Sequence, residues 1–173
     1  MRTKRGYFFV VDAFIAGILL FTAIILLLSR TTSVPPTSQA YQLIDGFMDF
    51  ISHTQVRDIS NSVVTALILD GNVTNPSFNV AEQVTEMYDR RQSQGCAFCL
   101  NRAKLLVESL TNGSIPQTYG YQYQVNDTII SSRYPEARKD STVLVAQSLI
   151  IYTSKNLTKT VGPYVTQVQV WLG

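Results

Sequence analysis

RTKRGYFFVVDAFIAGILLFTAIILLLSR, residues 2–30, is the stretch from which the rest of the chain is read. Three cations, Arg2, Lys4 and Arg5, and Gly6 precede twenty-two mostly apolar residues, Tyr7 to Leu28, in which Asp12 is the only charge. At about 1.5 Å per residue such a run makes a helix of roughly 33 Å, enough to cross the hydrocarbon of a bilayer. Basic residues on the short N-terminal side place that end in the cytoplasm and everything after Arg30 outside. The apolar run is long for the core of a secretory signal, and Ile25 to Leu28 is too bulky for the usual small-residue cleavage site. An aspartate one and a half turns into hydrocarbon costs about 2.5–3.5 kcal/mol unless it finds a partner.

A short basic leader ending in glycine, an apolar helix directly behind it and an acid near the helix start together resemble the class III signal of type IV pilins, the archaeal pilin-like proteins in particular. The resemblance covers about thirty residues. It implies a leader at 1–6, cleavage by a prepilin peptidase between Gly6 and Tyr7, and a transmembrane and assembly helix at 7–30. It also implies that Asp12 pairs with a terminal amine, offsetting the burial of both charges. Phe8, Phe9 and Phe14 would pack with copies of themselves in a filament core. The family's usual acid is a glutamate at the fifth mature position, whereas Asp12 stands sixth after such a cut. The implied partners are the chain itself, the peptidase and assembly machinery, the membrane and a surface ligand. The implied location is the cell membrane before assembly and the cell surface or an extracellular filament afterwards. The competing reading is an uncleaved single-pass anchor carrying an extracellular binding or sensor module.

About 140 residues remain beyond the apolar stretch, room for one domain with its own core. The formal charge is +2; without Arg2, Lys4 and Arg5 the 14 cations become 11 against 12 anions, a net of −1. The cation pairs Arg90-Arg91 and Arg138-Lys139 have acids beside them, so no basic patch marks a nucleic-acid face and no nucleic-acid partner is expected.

Thr31 to Thr37 (TTSVPPT) reads as a linker, with Pro35-Pro36 stopping a helix from running straight on. The head, 38–173, restarts at Ser38 with Ala40, Tyr41, Ile44, Phe47, Met48 and Ile51 recurring on one helical face. Val63 to Leu69 is favoured as helix over strand, with Asp70-Gly71 ending it. Asn79 caps a helix with Val80, Val84, Met87 and Tyr88 inward and Glu82, Glu86, Asp89 and Arg90 mostly outward. A further helix is expected from about Cys96 to Leu110, with Leu100, Leu105, Leu106 and Leu110 apolar and Thr111-Asn112-Gly113 closing it.

After Pro116 the period changes from 3.6 to 2. Tyr119, Tyr121, Tyr123 and Val125 alternate with Gly120, Gln122 and Gln124, predicting a strand. Asn126-Asp127 is the turn to a partner strand at Thr128 to Ser132. Val143 to Tyr152 and Tyr164 to Leu172 complete four antiparallel strands. The expected fold class is α+β: a long hydrophobic N-terminal helix, then two or three helices packed on a four-stranded antiparallel sheet.

Cys96-Ala97-Phe98-Cys99 is a CxxC at a helix start, where a thiolate gains from the helix dipole. Outside the membrane a local structural disulfide is the expectation. Thioredoxin-like enzymes carry the motif after a strand, which this chain lacks there, and a zinc site would need ligands beyond the single histidine, His53. No acid–nucleophile constellation gathers around His53, and Asp45 and Asp49, four apart, read as a solvated helix face. No enzyme, metal or cofactor is expected. Four N-x-S/T sequons, at Asn72, Asn112, Asn126 and Asn156, all fall in expected loops or turns, where a sugar projects without disturbing a core. The sheet aromatics Tyr119, Tyr121, Tyr123, Tyr152, Tyr164 and Trp171 are read first as core and second as a carbohydrate or partner face.

Overall fold

The computed structural model describes residues 13–25, 36–134, 142–153 and 160–172. The chain divides into two units, Met1–Ser38 and Gln39–Gly173. In the first, residues 13–25 are helical (α1). At 1.5 Å per residue the described helical residues account for about 20 Å, against about 30 Å of bilayer hydrocarbon. Among the described residues no helix is long and apolar enough to cross a membrane. The expected membrane-spanning helix over 7–30 is therefore corrected: what is described is a shorter apolar helix. Gly6, Tyr7, Phe8, Phe9 and Asp12 lie outside the described residues.

The second unit has the expected α+β character. α2, Pro36–His53, begins inside the stretch read as linker. Pro36 suits the first helical position, where its missing N–H would have had no partner anyway. Ala40, Ile44, Phe47, Met48 and Ile51 are buried, but Tyr41 is 53% exposed. At 100° per residue Tyr41 stands about 80° from the centre of that stripe, too far round to reach the core. A 3-10 turn, Val56–Asp58, separates α2 from α3, Ser62–Leu69. Asn61 caps α3 by accepting from the amides of Val63 and Val64.

α4, Val80–Gln94, opens with a capping box: Asn79 accepts from the Glu82 amide at 2.7 Å, and the Glu82 carboxylate accepts from the Asn79 amide at 2.9 Å. It ends at Gly95, whose φ of +67° favours a residue without Cβ. α5, Cys99–Ser114, starts three residues later and runs farther than the sequence predicts. Thr111 is buried and donates back to the Val107 carbonyl at 3.0 Å, and Ile115 is buried just beyond, so packing carries the helix through Gly113. Its inner face is Cys99, Ala103, Leu106, Val107 and Leu110, while Leu105, about 145° from the centre of that face, is exposed.

The sheet comprises β1 (Tyr119–Val125), β2 (Thr128–Arg133), β3 (Leu144–Thr153) and β4 (Thr160–Leu172) in the order β2-β1-β4-β3. Every neighbouring pair is antiparallel. Asn126 and Asp127, with φ of 45° and 64°, make the tight turn between β1 and β2. Tyr121, Tyr123 and Val125 lie opposite Val170, Val168 and Thr166, and Leu144 and Ile150 extend that face onto β3. All of these are buried beneath the helices, α4 packing on β3 and β4 and α5 on β2. On the opposite face Trp171 lies over Gly120, where an added Cβ would sit 2.2 Å from Nε1, so only glycine admits the indole.

Candidate functional site

The most developed polar cluster in the head sits where α4 crosses the β3 and β4 strands. The capping box fixes where α4 begins, which sets Glu86 near its middle and Asp89 and Arg90 in its second half. Asp89 receives two hydroxyls: Tyr164 donates to one carboxylate oxygen at 2.6 Å and Tyr152 to the other at 3.1 Å. The two tyrosine rings stack with centroids 6.4 Å apart. Tyr88 meets Tyr164 edge-on at 6.0 Å, and Phe78 meets Tyr152 edge-on at 5.8 Å. Such edge-to-face pairs contribute about 0.5–1.5 kcal/mol each beyond the area they bury.

Burial, together with the Asp89 charge and hydrogen bond, pushes the Tyr164 hydroxyl up to about 12 and drives Tyr152 upward from the same causes. Both therefore stay protonated donors at neutral pH. One turn earlier, burial raises Glu86, opposed by hydrogen bonds from Thr74 and Gln83 and by the charge of Arg90. Gln83, buried in α4, donates to Glu86 at 3.0 Å, and its carbonyl accepts from the Asn75 amide at 3.4 Å. The cluster thus ties α4 to both strands and to the 72–78 loop. It offers paired donors and acceptors but no nucleophile beside a base.

Sequence reasoning placed Asp89 on the outer side of α4 and assigned it no partner. Its partners lie 63 and 75 residues further along, and no local pattern links them. The sheet aromatics mostly serve as core: Tyr119, Tyr121, Tyr123, Tyr152 and Trp171 are buried. The Tyr121 hydroxyl shares a 3.0 Å hydrogen bond with Ser131.

Cys96 and Cys99 form a disulfide. The element before it is a helix, α4, and the sheet is wholly antiparallel, so the surroundings are not those of a thioredoxin-like enzyme. His53 ends α2, exposed, with Nδ1 3.0 Å from the Asp49 carboxylate, and Asp45 is likewise exposed. Among the described residues no group of three histidine, cysteine or acidic side chains could hold a metal.

The sequons fall unevenly. Asn72 follows α3 in a loop and Asn126 forms the β1–β2 turn, as expected. Asn112 is instead inside the last turns of α5, exposed, with its Oδ1 accepting from Arg133 at 2.9 Å. Arg133 also donates to the Ile115 and Pro116 carbonyls at 3.0 and 3.2 Å, a cation at a helix C-terminus where the dipole favours it. Asn126 Oδ1 accepts from the Val165 amide at 2.8 Å. Asn156 lies outside the described residues. Of the residues named for assembly, Phe14 is described, and it is 72% exposed.

Compared with models of known protein families, with curated proteins and with solved structures, the chain matches none.

Proposed function

We propose that this chain is a structural subunit of a surface filament of the archaeal type IV pilus kind, assembling through its apolar N-terminal segment and presenting the α+β head outward. The observation that carries the reading is the dressing of α1. Phe14, Ile18, Leu19, Leu20, Phe21 and Ile25 are all exposed. At 100° per residue they point to every side of the helix. A helix apolar all round has to be enclosed by other apolar surface. Packing among several copies of itself supplies that enclosure, and the basic leader and Asp12 fit a cleaved, register-setting N-terminus.

In this reading a prepilin peptidase cuts between Gly6 and Tyr7, and Asp12 accepts the new α-amino group of a neighbour. The assembly machinery and further copies of the chain are its partners. The head carries adhesive or neighbour contacts and performs no catalysis. Sugars at Asn72, Asn112, Asn126 and Asn156 would clothe the outer surface. Glycosylation uses the amide nitrogen, so the Oδ1 bonds of Asn112 and Asn126 are compatible with it.

Mass spectrometry of the mature N-terminus tests the reading, with a start at Tyr7 as the expected result. An intact Met1 would overturn it in favour of an uncleaved chain. Asp12→Ala is expected to leave the chain in the cell envelope while filaments disappear; normal filaments from that variant would remove the role given to Asp12.

A further inference from the structure

Three of the sequons lie among the described residues, and in two of them the fold keeps the asparagine and its hydroxyl partner from being gripped together. The motif itself sets that requirement. An asparagine is a sequon only with serine or threonine two residues on, so a transferase has to engage the carboxamide and that hydroxyl at one site. An extended segment allows it, because side chains at i and i+2 share one side of the chain.

Asn112, Gly113 and Ser114 are the last three residues of α5, and the Ile115 amide continues the ladder by donating to the Thr111 carbonyl at 2.8 Å. At 100° per residue Ser114 stands about 160° round the helix from Asn112, so one active site cannot take both. Arg133 holds Asn112 on its own side, donating to Oδ1 at 2.9 Å. In Asn72-Val73-Thr74 the bar is burial instead. Val73 is 6% exposed, and the amides of Asn72 and Val73 both donate to the Leu67 carbonyl, at 2.9 and 3.2 Å. The Thr74 hydroxyl accepts at 3.3 Å from Gln83, which is buried in α4, so it is turned into the head. Asn126 differs: it and Asp127 are exposed at the tip of a hairpin, where neither bar applies.

We propose that Asn72 and Asn112 receive their sugars before the head folds, and that folding shuts both to oligosaccharide transfer. The inference rests on the sugars of the proposed function and is independent of cleavage and filament assembly. The co-substrate is an oligosaccharide carried on a lipid phosphate. The asparagine nitrogen gives a proton to a base of the transferase and bonds to the anomeric carbon. The bond from that carbon to the phosphate oxygen breaks, and the lipid phosphate leaves with the bonding pair. In the folded head this step needs Thr74 released from Gln83, or the last turn of α5 unwound, so its rate is scaled down by the small population of such openings.

The test uses the folded full chain in mild detergent, carrying an added Gly-Asn-Gly-Thr tail after Gly173, and synthetic peptides spanning 66–80 and 106–120. The first peptide lacks Gln83, and the second is too short for a stable helix in water. A purified oligosaccharyltransferase and a lipid-phosphate-linked oligosaccharide are added, and mass spectrometry of the digested products reads each site. The tail and both peptides should be modified, while Asn72 and Asn112 of the folded chain should react at least about tenfold more slowly than their peptides. A folded chain modified at either site as fast as its peptide would overturn the inference. Refusal of both peptides while the tail is taken would also overturn it, because folding would then not be what keeps the sites bare. Protein recovered from its own cells separates the timing from the reading beneath it. Sugar at Asn72 or Asn112 together with fast transfer to the folded chain overturns the timing alone, whereas no sugar at any sequon overturns the glycosylation itself.

Discussion

Removing the Asp89 carboxylate tests the tyrosine cluster most directly. A hydrogen bond to a charged group contributes about 1.5–3 kcal/mol, and Asp89 accepts two, at 2.6 and 3.1 Å. Tyr164 is partly exposed, so water replaces much of what it loses. Tyr152 is buried, and leaving its hydroxyl without a partner costs about 1–3 kcal/mol by itself. Asp89→Ala should therefore destabilise the head by about 2–4 kcal/mol. With a urea slope of about 1–3 kcal/mol per molar, the unfolding midpoint should fall by about 1–2 M at constant slope. The tyrosines decide whether the carboxylate acts through them. In the Asp89→Ala background, Tyr152→Phe together with Tyr164→Phe should cost less than in the wild type, because the hydroxyls no longer have an acceptor to lose. The coupling measured by urea unfolding should be about 1–3 kcal/mol. Additivity to within about 0.5 kcal/mol would mean that the three groups do not act as a unit.

Glu86 gives a pH signature. Its folded pKa lies above the unfolded one because burial dominates, so its contribution is most favourable in acid and is lost as pH rises through the folded value. Glu86→Gln keeps an acceptor for Gln83 and should raise the thermal midpoint relative to wild type near pH 7 but not near pH 4; an equal effect at both would contradict the burial argument. Gly120→Ala must displace the Trp171 indole and should cost about 1–3 kcal/mol, read as a lower melting temperature with a changed tryptophan fluorescence spectrum. Reducing the Cys96–Cys99 bond, or replacing both residues with serine, should cost no more than about 2 kcal/mol, because the closed loop is so small. A larger loss in urea unfolding would show that the bond holds more than one turn.

Much of the head was legible because its signals are local. The YGYQYQV alternation marked β1 at its observed ends, Asn126-Asp127 marked the turn, and Asn79 with Glu82 marked the start of α4. Misreadings came where distant packing overrides a local cue. Thr111-Asn112-Gly113 reads as a helix stop, yet the burial of Thr111 and Ile115 carries α5 past it. Leu105 and Tyr41 are apolar enough to count toward a stripe but sit on the wrong side of their helices. The apolar run at 7–28 predicted a span by its length, whereas the helix described within it covers 13–25. Asp89 was invisible as a site because a carboxylate on a helix flank looks the same whether its neighbour is water or a tyrosine from the sheet.

The strand order β2-β1-β4-β3 has a bearing on how the head is made. β1 and β3 never touch as neighbours; each is joined to the other only through β4, which is synthesised after both. A ribosome or export channel delivering the polypeptide from its amino end thus releases a β1–β2 hairpin first and then β3 with no ladder to join. The four-stranded order can be completed only once Thr160–Leu172 is in place between β1 and β3. Until that strand arrives β3 has no neighbour in the sheet, and its arrival completes the ladders to β1 and β3 together.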